Sequence, residues 1–274
     1  MKKWFLLPFA LLVWGPLWLL LTGALTGNAE LQSTIGPALT GQGQVKWTLL
    51  PSWPTLQPLL ELLLDTPEYF TTYWNTCAQV FPQVAGQLVV GAPAAWALSK
   101  MEFPGRHGIR SLYIVVMLLP FQVTIVPSYL TLNALGLMDT VWAVILPGAF
   151  STFPVFLMQR GFDAVPKELL EASAIDGATP GQQFFRIGIP VGLPGILAAL
   201  TTGFLDAWNG LEQPMTFLKT PSRWPLSLYL TNAAGDNLAL VMAASLMMLL
   251  PAVLIFSFGQ KYLEQEILAG AVKG

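Results

Sequence analysis

Residues 163–190, DAVPKELLEASAIDGATPGQQFFRIGIP, hold the densest set of chemistry-capable side chains in the protein. Four acids (Asp163, Glu168, Glu171, Asp176) and two bases (Lys167, Arg186) fall there, between two long apolar runs. Acid–base or nucleophilic catalysis needs such carboxylates paired in a pocket with a histidine, a metal or an activated nucleophile. The chain has one histidine, His107, and one cysteine, Cys77, which leaves no His cluster, no Cys-based metal site and no internal disulfide. No G-x-x-x-x-G-K-[ST] phosphate loop occurs, because Lys219-Thr220 follows Leu218 without the glycines. The acids lie on short helical segments beside Lys and Arg, a pattern that reads as a docking surface. The expectation is therefore no catalytic residue, no metal and no enzyme activity in this chain.

The local signals in the stretch are dense. Pro166 suits the first position of a helix, and Lys167 to Ile175 supplies good helix formers. Glu168 sits where the helix dipole favours an acid. Gly177 is placed to stop the helix at C′. Thr179-Pro180-Gly181-Gln182 then reads as a capping box with proline in the first turn. Two short helices with a tight turn between them make a compact charged knob, and Pro190 opens the next long helix. A solvated loop with incidental helicity is the plainer alternative.

The surrounding elements must belong to a membrane. Of 274 residues, 54% are hydrophobic and 10% charged, against about 25% charged in soluble domains. Apolar segments at about 4–25, 69–99, 111–130, 140–159, 191–211 and 238–260 predict an all-α integral membrane protein with six transmembrane helices. The first could be a secretory signal, but its length exceeds the roughly 7–15 residues of a signal core and favours a first spanning helix. Residues 28–68 read as an external loop, with Trp47 and Trp53 at the interface and a short helix over 56–64. Ten bases (Lys2, Lys3, Lys100, Arg106, Arg110, Arg160, Lys167, Arg186, Lys261, Lys273) fall on one side and three (Lys46, Lys219, Arg223) on the other. By the positive-inside rule both termini and the loop 160–190 are cytoplasmic.

Inside the helices, five of the six carry no charge, and Asp206 in the fifth is the one candidate. It reads equally as an interfacial acid beside Trp208. Prolines, threonines and amides are plentiful instead: Asn75, Gln79, Gln83, Gln87, Gln122, Thr201, Thr202 and Asn209. Neutral, kinked, amide-bearing helices suit a polar uncharged solute, although ordinary interhelical hydrogen bonds explain any single one of them. Gln122, Asp206, Trp208 and Asn209 are the solute-pathway candidates. With no phosphate loop and no charged relay, uphill transport would draw its energy through a partner.

The spacing of the knob resembles the EAA loop of permease subunits of ABC importers, whose pattern is EAA, three residues, G, nine residues, I-x-L-P. Here Glu171-Ala172-Ser173 precedes Gly177, and Ile187-Gly188-Ile189-Pro190 follows; Ser173 and Ile189 depart from the pattern. Pro166-x-Glu168-Leu169, Ile175-Asp176-Gly177-Ala178, Leu50-Pro51-Ser52, Pro54-Thr55, Trp208-Asn209 and the terminal Gly270-Ala271-Val272-Lys273-Gly274 are similar to the carbohydrate, maltose-type branch. The resemblance covers essentially the whole chain. It implies a type I ABC importer transmembrane domain in a bacterial or archaeal inner membrane, forming one unit over 1–274. It also implies that Glu171, Ala172, Ser173, Asp176, Gly177, Ala178, Ile187 and Pro190 form a coupling site, with Glu171 the main polar contact and Ala172 and Ser173 packed in a cleft. The implied partners are two ATP-binding subunits, a second and different permease subunit, an external solute-binding protein and the lipid bilayer, with no nucleic acid. ATP would be bound by the partner, leaving this chain without a cofactor. The implied cargo is a sugar, oligosaccharide or polyol; glycerol-phosphate or another small polar solute is the alternative. An assembly factor in a membrane complex is the competing class.

Overall fold

The computed structural model describes residues 3–39, 41, 43–46, 48–233 and 237–271. Lys2, Trp47, Val272, Lys273 and Gly274, used above, lie outside the described residues. In chain order the helices are α1 (Lys3–Gly23), α2 (Asn28–Thr34), α3 (Gly36–Leu39), α4 (Gln57–Leu64), α5 (Pro67–Lys100), α6 (Arg106–Met117), α7 (Phe121–Ala134) and α8 (Trp142–Ala149). They continue with α9 (Thr152–Asp163), α10 (Lys167–Ile175), α11 (Pro180–Gln183), α12 (Ile189–Trp208), α13 (Glu212–Phe217), α14 (Leu226–Ala233) and α15 (Leu238–Ala271).

The prolines decide where helices break. Residues 111–130 were expected as one helix, but α6 and α7 are separate and bent by 107°. Pro120 sits in extended conformation (φ −67°, ψ 150°) before α7; it has no N–H to continue α6 and pushes its predecessor out of the helical region. Pro82 and Pro93, by contrast, lie inside the 34-residue α5. Residues 140–159 resolve into α8 and α9, with Ser151 extended between them (φ −60°, ψ 139°). The fifth helix begins well before residue 191. α11, a π turn (Phe184–Gly188) and α12 run on as one 29-residue helix, Pro180–Trp208. Pro190, expected to open that helix, lies within it.

Among the described residues, Trp142–Asp163, Pro180–Trp208 and Leu238–Gln265 are long and apolar enough to cross a membrane, and the bent pair α6–α7 qualifies as a fourth. α5 has the length but is interrupted by Thr72, Asn75, Thr76, Gln79, Gln83 and Gln87.

Two compact units emerge. The first takes the described residues within Met1–Asn75 and Trp224–Pro251. Its core joins Ala24, Leu62, Tyr69, Leu226, Ala243 and Ala244. Its long loop folds back on the end of α1 and on α2: Trp18 Nε1 donates to Leu49 O (2.8 Å), Thr55 N to Leu25 O (2.8 Å), and Ser52 N to Glu30 Oε1 of α2 (2.8 Å). The short helix expected over 56–64 is α4.

The second unit takes the described residues within Thr76–Arg223 and Ala252–Gly274. Its largest core cluster brings Ala92, Ala95, Trp96 and Leu98 of α5 against Val155, Met158 and Phe162 of α9 and Ile196 and Ala199 of α12. The backbones of α9 and α12 come close because no side chain separates them. A Cβ on Gly161 would stand 2.9 Å from the Gly195 Cα and from the Gly192 carbonyl oxygen, and one on Gly192 would stand 2.7 Å from Phe162. Small residues at helix crossings allow this approach. Gly161→Leu is expected to lower the stability of this unit by about 1–3 kcal/mol, the usual cost of overpacking. Gly108→Leu, at a position with nothing within 4 Å, should be tolerated. Thermal midpoints of the two purified variants, compared with the parent, check this.

Candidate functional site

The knob hangs between the end of α9 and the start of the Pro180–Trp208 helix. Its fold follows from its capping residues. Pro166 is extended (φ −64°, ψ 140°) and serves as the N-cap of α10, one position before the place expected for it. At the other end Gly177 adopts φ +83°, a left-handed conformation that other residues adopt at a cost. There Ala178 N donates to Ser173 O (2.9 Å) and Gly177 N to Ala174 O (3.0 Å), the two bonds of a Schellman motif. Thr179 then starts α11 with the capping box expected of it: Gln182 N donates to Thr179 Oγ1 (3.3 Å) and Thr179 N to Gln182 Oε1 (2.8 Å).

The knob is pinned at both ends. Leu170, Phe184 and Ile187 pack against the second unit's core. Phe184 closes a ring cluster with Trp96 (5.8 Å) and Phe162 (6.0 Å). Gly188 lies flat on Trp96, where a Cβ would meet the indole at 2.6 Å. At the entrance, Asp163 accepts from Ser99 Oγ (2.6 Å) and from Arg110 Nη2 (3.0 Å), while Lys100 Nζ donates to Val165 O (2.6 Å). Arg106 caps the end of α5 by donating to Leu98 O (2.9 Å) and Ser99 O (2.6 Å). The basic loop after α5 thus has a structural use that charge counting alone did not reveal.

The expected coupling residues divide into two sets. Glu171, Ala172, Asp176 and Gly177 are exposed, whereas Ser173 and Ala178 are half-buried. Ile187 turns toward the core, and Pro190 is exposed on the long helix. Ser173 does not present a bare small surface. Its hydroxyl donates to Leu170 O (2.7 Å) and accepts from Gln183 Nε2 (2.9 Å). Glu168, Glu171, Ala172 and Ile175, at helical spacing, form one exposed stripe on α10. Ile175 is 87% exposed. It escaped sequence reading because an isoleucine at a helix end looks like an ordinary core residue. A large apolar side chain held out among acids is what a partner's pocket requires.

The pathway candidates are scattered in role. Trp208 is buried (1% exposed) and stacks on Phe204 at 5.4 Å, so it belongs to the packing. Asp206 and Asn209 are exposed, and Asn209 Nδ2 donates to Leu205 O (2.9 Å). Gln122 Nε2 donates to Glu212 Oε1 (3.2 Å) just beyond the Pro120 break. Buried amides of α5 serve helix contacts. Gln79 Nε2 donates to Arg223 O (3.0 Å) and Gln87 Nε2 to Gly148 O (3.0 Å). A Cβ on Gly203 would meet Gln87 Oε1 at 2.1 Å.

The match to known proteins covers most of the chain. Residues 87–269 match the model of the binding-protein-dependent transport system inner membrane component. The chain belongs to that family. Relatives include the arabinooligosaccharides transport system permease protein AraQ of Halalkalibacterium halodurans, 29% identical, covering 82% of this chain and 81% of the relative. The diacetylchitobiose uptake system permease protein DasC of Streptomyces coelicolor is 31% identical, covering 76% and 77%. Among solved structures, a bacterial ABC transporter involved in import of the acidic polysaccharide alginate matches with TM-score 0.79 at 23% identity, over 94% of this chain and 93% of that one. The fold is thus that of an ABC importer permease, and the protein is an inner membrane component of such a transporter rather than an enzyme. Family membership implies a solute-binding protein and an ATP-hydrolysing subunit as its partners.

Outside the knob, a second acid organises a loop. Asp139 adopts φ 55°, rare for a residue with a side chain. Its Oδ2 accepts from Thr220 Oγ1 (2.6 Å), its Oδ1 from the Thr220 and Lys219 amides (3.0 and 2.8 Å), and Arg223 binds it as well. The Thr220 hydroxyl and amide first, then the Lys219 amide and the Arg223 charge, lower its carboxyl pKa to about 2. The folded value lies below the roughly 3.9 of a free aspartate, so the clasp is intact above about pH 4 and is lost as pH falls toward 2. Amide exchange at Lys219 and Thr220, corrected for intrinsic rates, should accelerate over that window in the parent. Asp139→Ala should show fast exchange there at every pH.

Proposed function

We propose that this chain forms half of the membrane pathway for a carbohydrate and receives the work of ATP hydrolysis through α10. The observation that carries the coupling reading is the exposed stripe Glu168, Glu171, Ala172, Ile175, mounted on a knob joined through the tight Gly177 turn to the Pro180–Trp208 helix. The acids call for cationic or N–H partners, and Ile175 calls for an apolar pocket. A push on α10 passes to the long helix because Leu170, Phe184 and Ile187 seat both in one core.

The topology that fits this use has six transmembrane segments. α1 and α5 join the three apolar helices and the bent α6–α7 pair, with both termini and the knob on the cytoplasmic side, where ten of thirteen bases fall. In the assembly two ATP-binding subunits, a second and different permease and an external solute-binding protein complete the importer, and ATP stays on the partner subunit. A carbohydrate cargo is supported by relatives that carry arabinooligosaccharides and diacetylchitobiose. Apart from Lys3 at its start and the cytoplasm-facing ends, the long helices contain no Lys or Arg, which argues against a phosphorylated solute.

Glu171→Lys and Gly177→Asp are each expected to abolish solute uptake while the protein still reaches the membrane. Uptake at parental rates in either one would remove the coupling role. Ile175→Glu should strip the ATPase from the purified complex by at least tenfold, read by co-purification, because a buried charge would replace an apolar anchor.

A further inference from the structure

The knob contains a contact that the coupling motif does not require. Gln183 closes the first turn of the long helix, and its Nε2 donates both to Leu170 O (2.9 Å) and to Ser173 Oγ (2.9 Å). The Ser173 hydroxyl in turn donates to Leu170 O (2.7 Å). The three atoms form a triangle: one amide N–H is shared between the Leu170 carbonyl and the Ser173 hydroxyl, and the hydroxyl gives its own proton to the carbonyl while accepting from the amide. All three residues are half-buried. Ser173 occupies the third position of the EAA pattern, where an alanine could accept nothing from Gln183.

We propose that Gln183 and Ser173 form a latch that fixes the angle between α10 and the Pro180–Trp208 helix, making Gln183 a positioning residue for coupling. The geometry is that of a braced corner. The Gly177 turn and the Thr179 capping box define the corner, but both act only on residues next to it. Leu170 anchors α10 in the core at a distance from the corner. Gln183 ties the Leu170 carbonyl and the Ser173 hydroxyl to the long helix, across 13 and 10 residues of chain. Without this brace α10 can pivot about the turn and absorb a push; with it the push reaches the π turn directly.

The latch rests on the coupling reading above, and the test separates the two. The intact transporter, with ATPase subunits and binding protein, is placed in lipid nanodiscs and examined by hydrogen exchange with and without ATP and vanadate. In the parent, residues 171–178 exchange slowly and nucleotide trapping changes exchange in residues 184–191. Gln183→Leu is expected to speed exchange in 171–178 about tenfold and to reduce the nucleotide response of 184–191 by at least half, with the KM for ATP unchanged. Ser173→Ala should show a smaller loss, Ser173→Thr should keep the response, and the double variant Ser173→Ala, Gln183→Leu should be no worse than Gln183→Leu alone, because both substitutions remove the same Gln183–Ser173 contact. A full nucleotide response in Gln183→Leu, or additive losses in the double variant, overturns the latch. If Gln183→Leu does not assemble, Ser173→Ala decides the matter alone, and a parental response there overturns it. Glu171→Lys is the control: it should abolish the nucleotide response while leaving exchange in 171–178 slow. A response that survives Glu171→Lys, or a parent that shows none, removes the coupling reading and the latch with it.

Discussion

Everything around the knob depends on how closely α9 and α12 approach. Gly161 meets Gly192 and Gly195 with no side chain between the backbones. That approach puts the last residue of α9 and the π turn at the same end of the bundle, so the chain between them need only make a short excursion. Trp96 of α5 then fills the angle between Phe162 and Phe184, with edge-to-face contact to Phe162 at 5.3 Å. Separating the two helices by one methyl group would move the supports of the knob apart before any surface residue changed.

Polar groups in this apolar chain are used mainly as connectors. Asp163 draws Ser99 and Arg110 to the end of α9, and Arg106 closes the carbonyls at the end of α5. Gln79 and Gln87 bond to backbone carbonyls on other segments. Burial of such groups is costly unless each finds a partner. The Gln87 Oε1 and Trp224 Nε1 atoms, each buried without one, are the exceptions among the described residues.

What could be read from the sequence followed the range of the interaction. Signals contained within a few residues were legible: the Gly177 stop, the Thr179–Gln182 box and the α4 segment. Pairings between distant residues were not. Arg110 and Asp163 are 53 positions apart, and nothing local distinguishes that arginine from its basic neighbours. The same limit explains Ser173, whose meaning depends on Gln183 across the turn. Prolines were ambiguous for a related reason. Pro82, Pro93 and Pro120 all sit in apolar runs, yet only Pro120 ends a helix. The long helix was expected to start at 191, not 180, because its first turns carry polar and charged side chains that resemble loop. The carboxylate stripe of α10 was visible as composition, but the exposure of Ile175 required the fold.

The π turn at Phe184–Gly188 has one more consequence. There Ile189 N–H reaches back five residues to Phe184 O, so the turn holds one residue more than an α-helical turn would. Each residue of an α-helix advances the side-chain direction by about 100°. The surplus residue therefore sets the phase between the first turns of the helix and the rest of it. Gly188 lies under Trp96, Gly192 against Phe162 and Gly203 on Gln87 only in this phase. A one-residue deletion here would leave every residue type almost unchanged and yet turn the glycine face of a twenty-residue helix away from its partners.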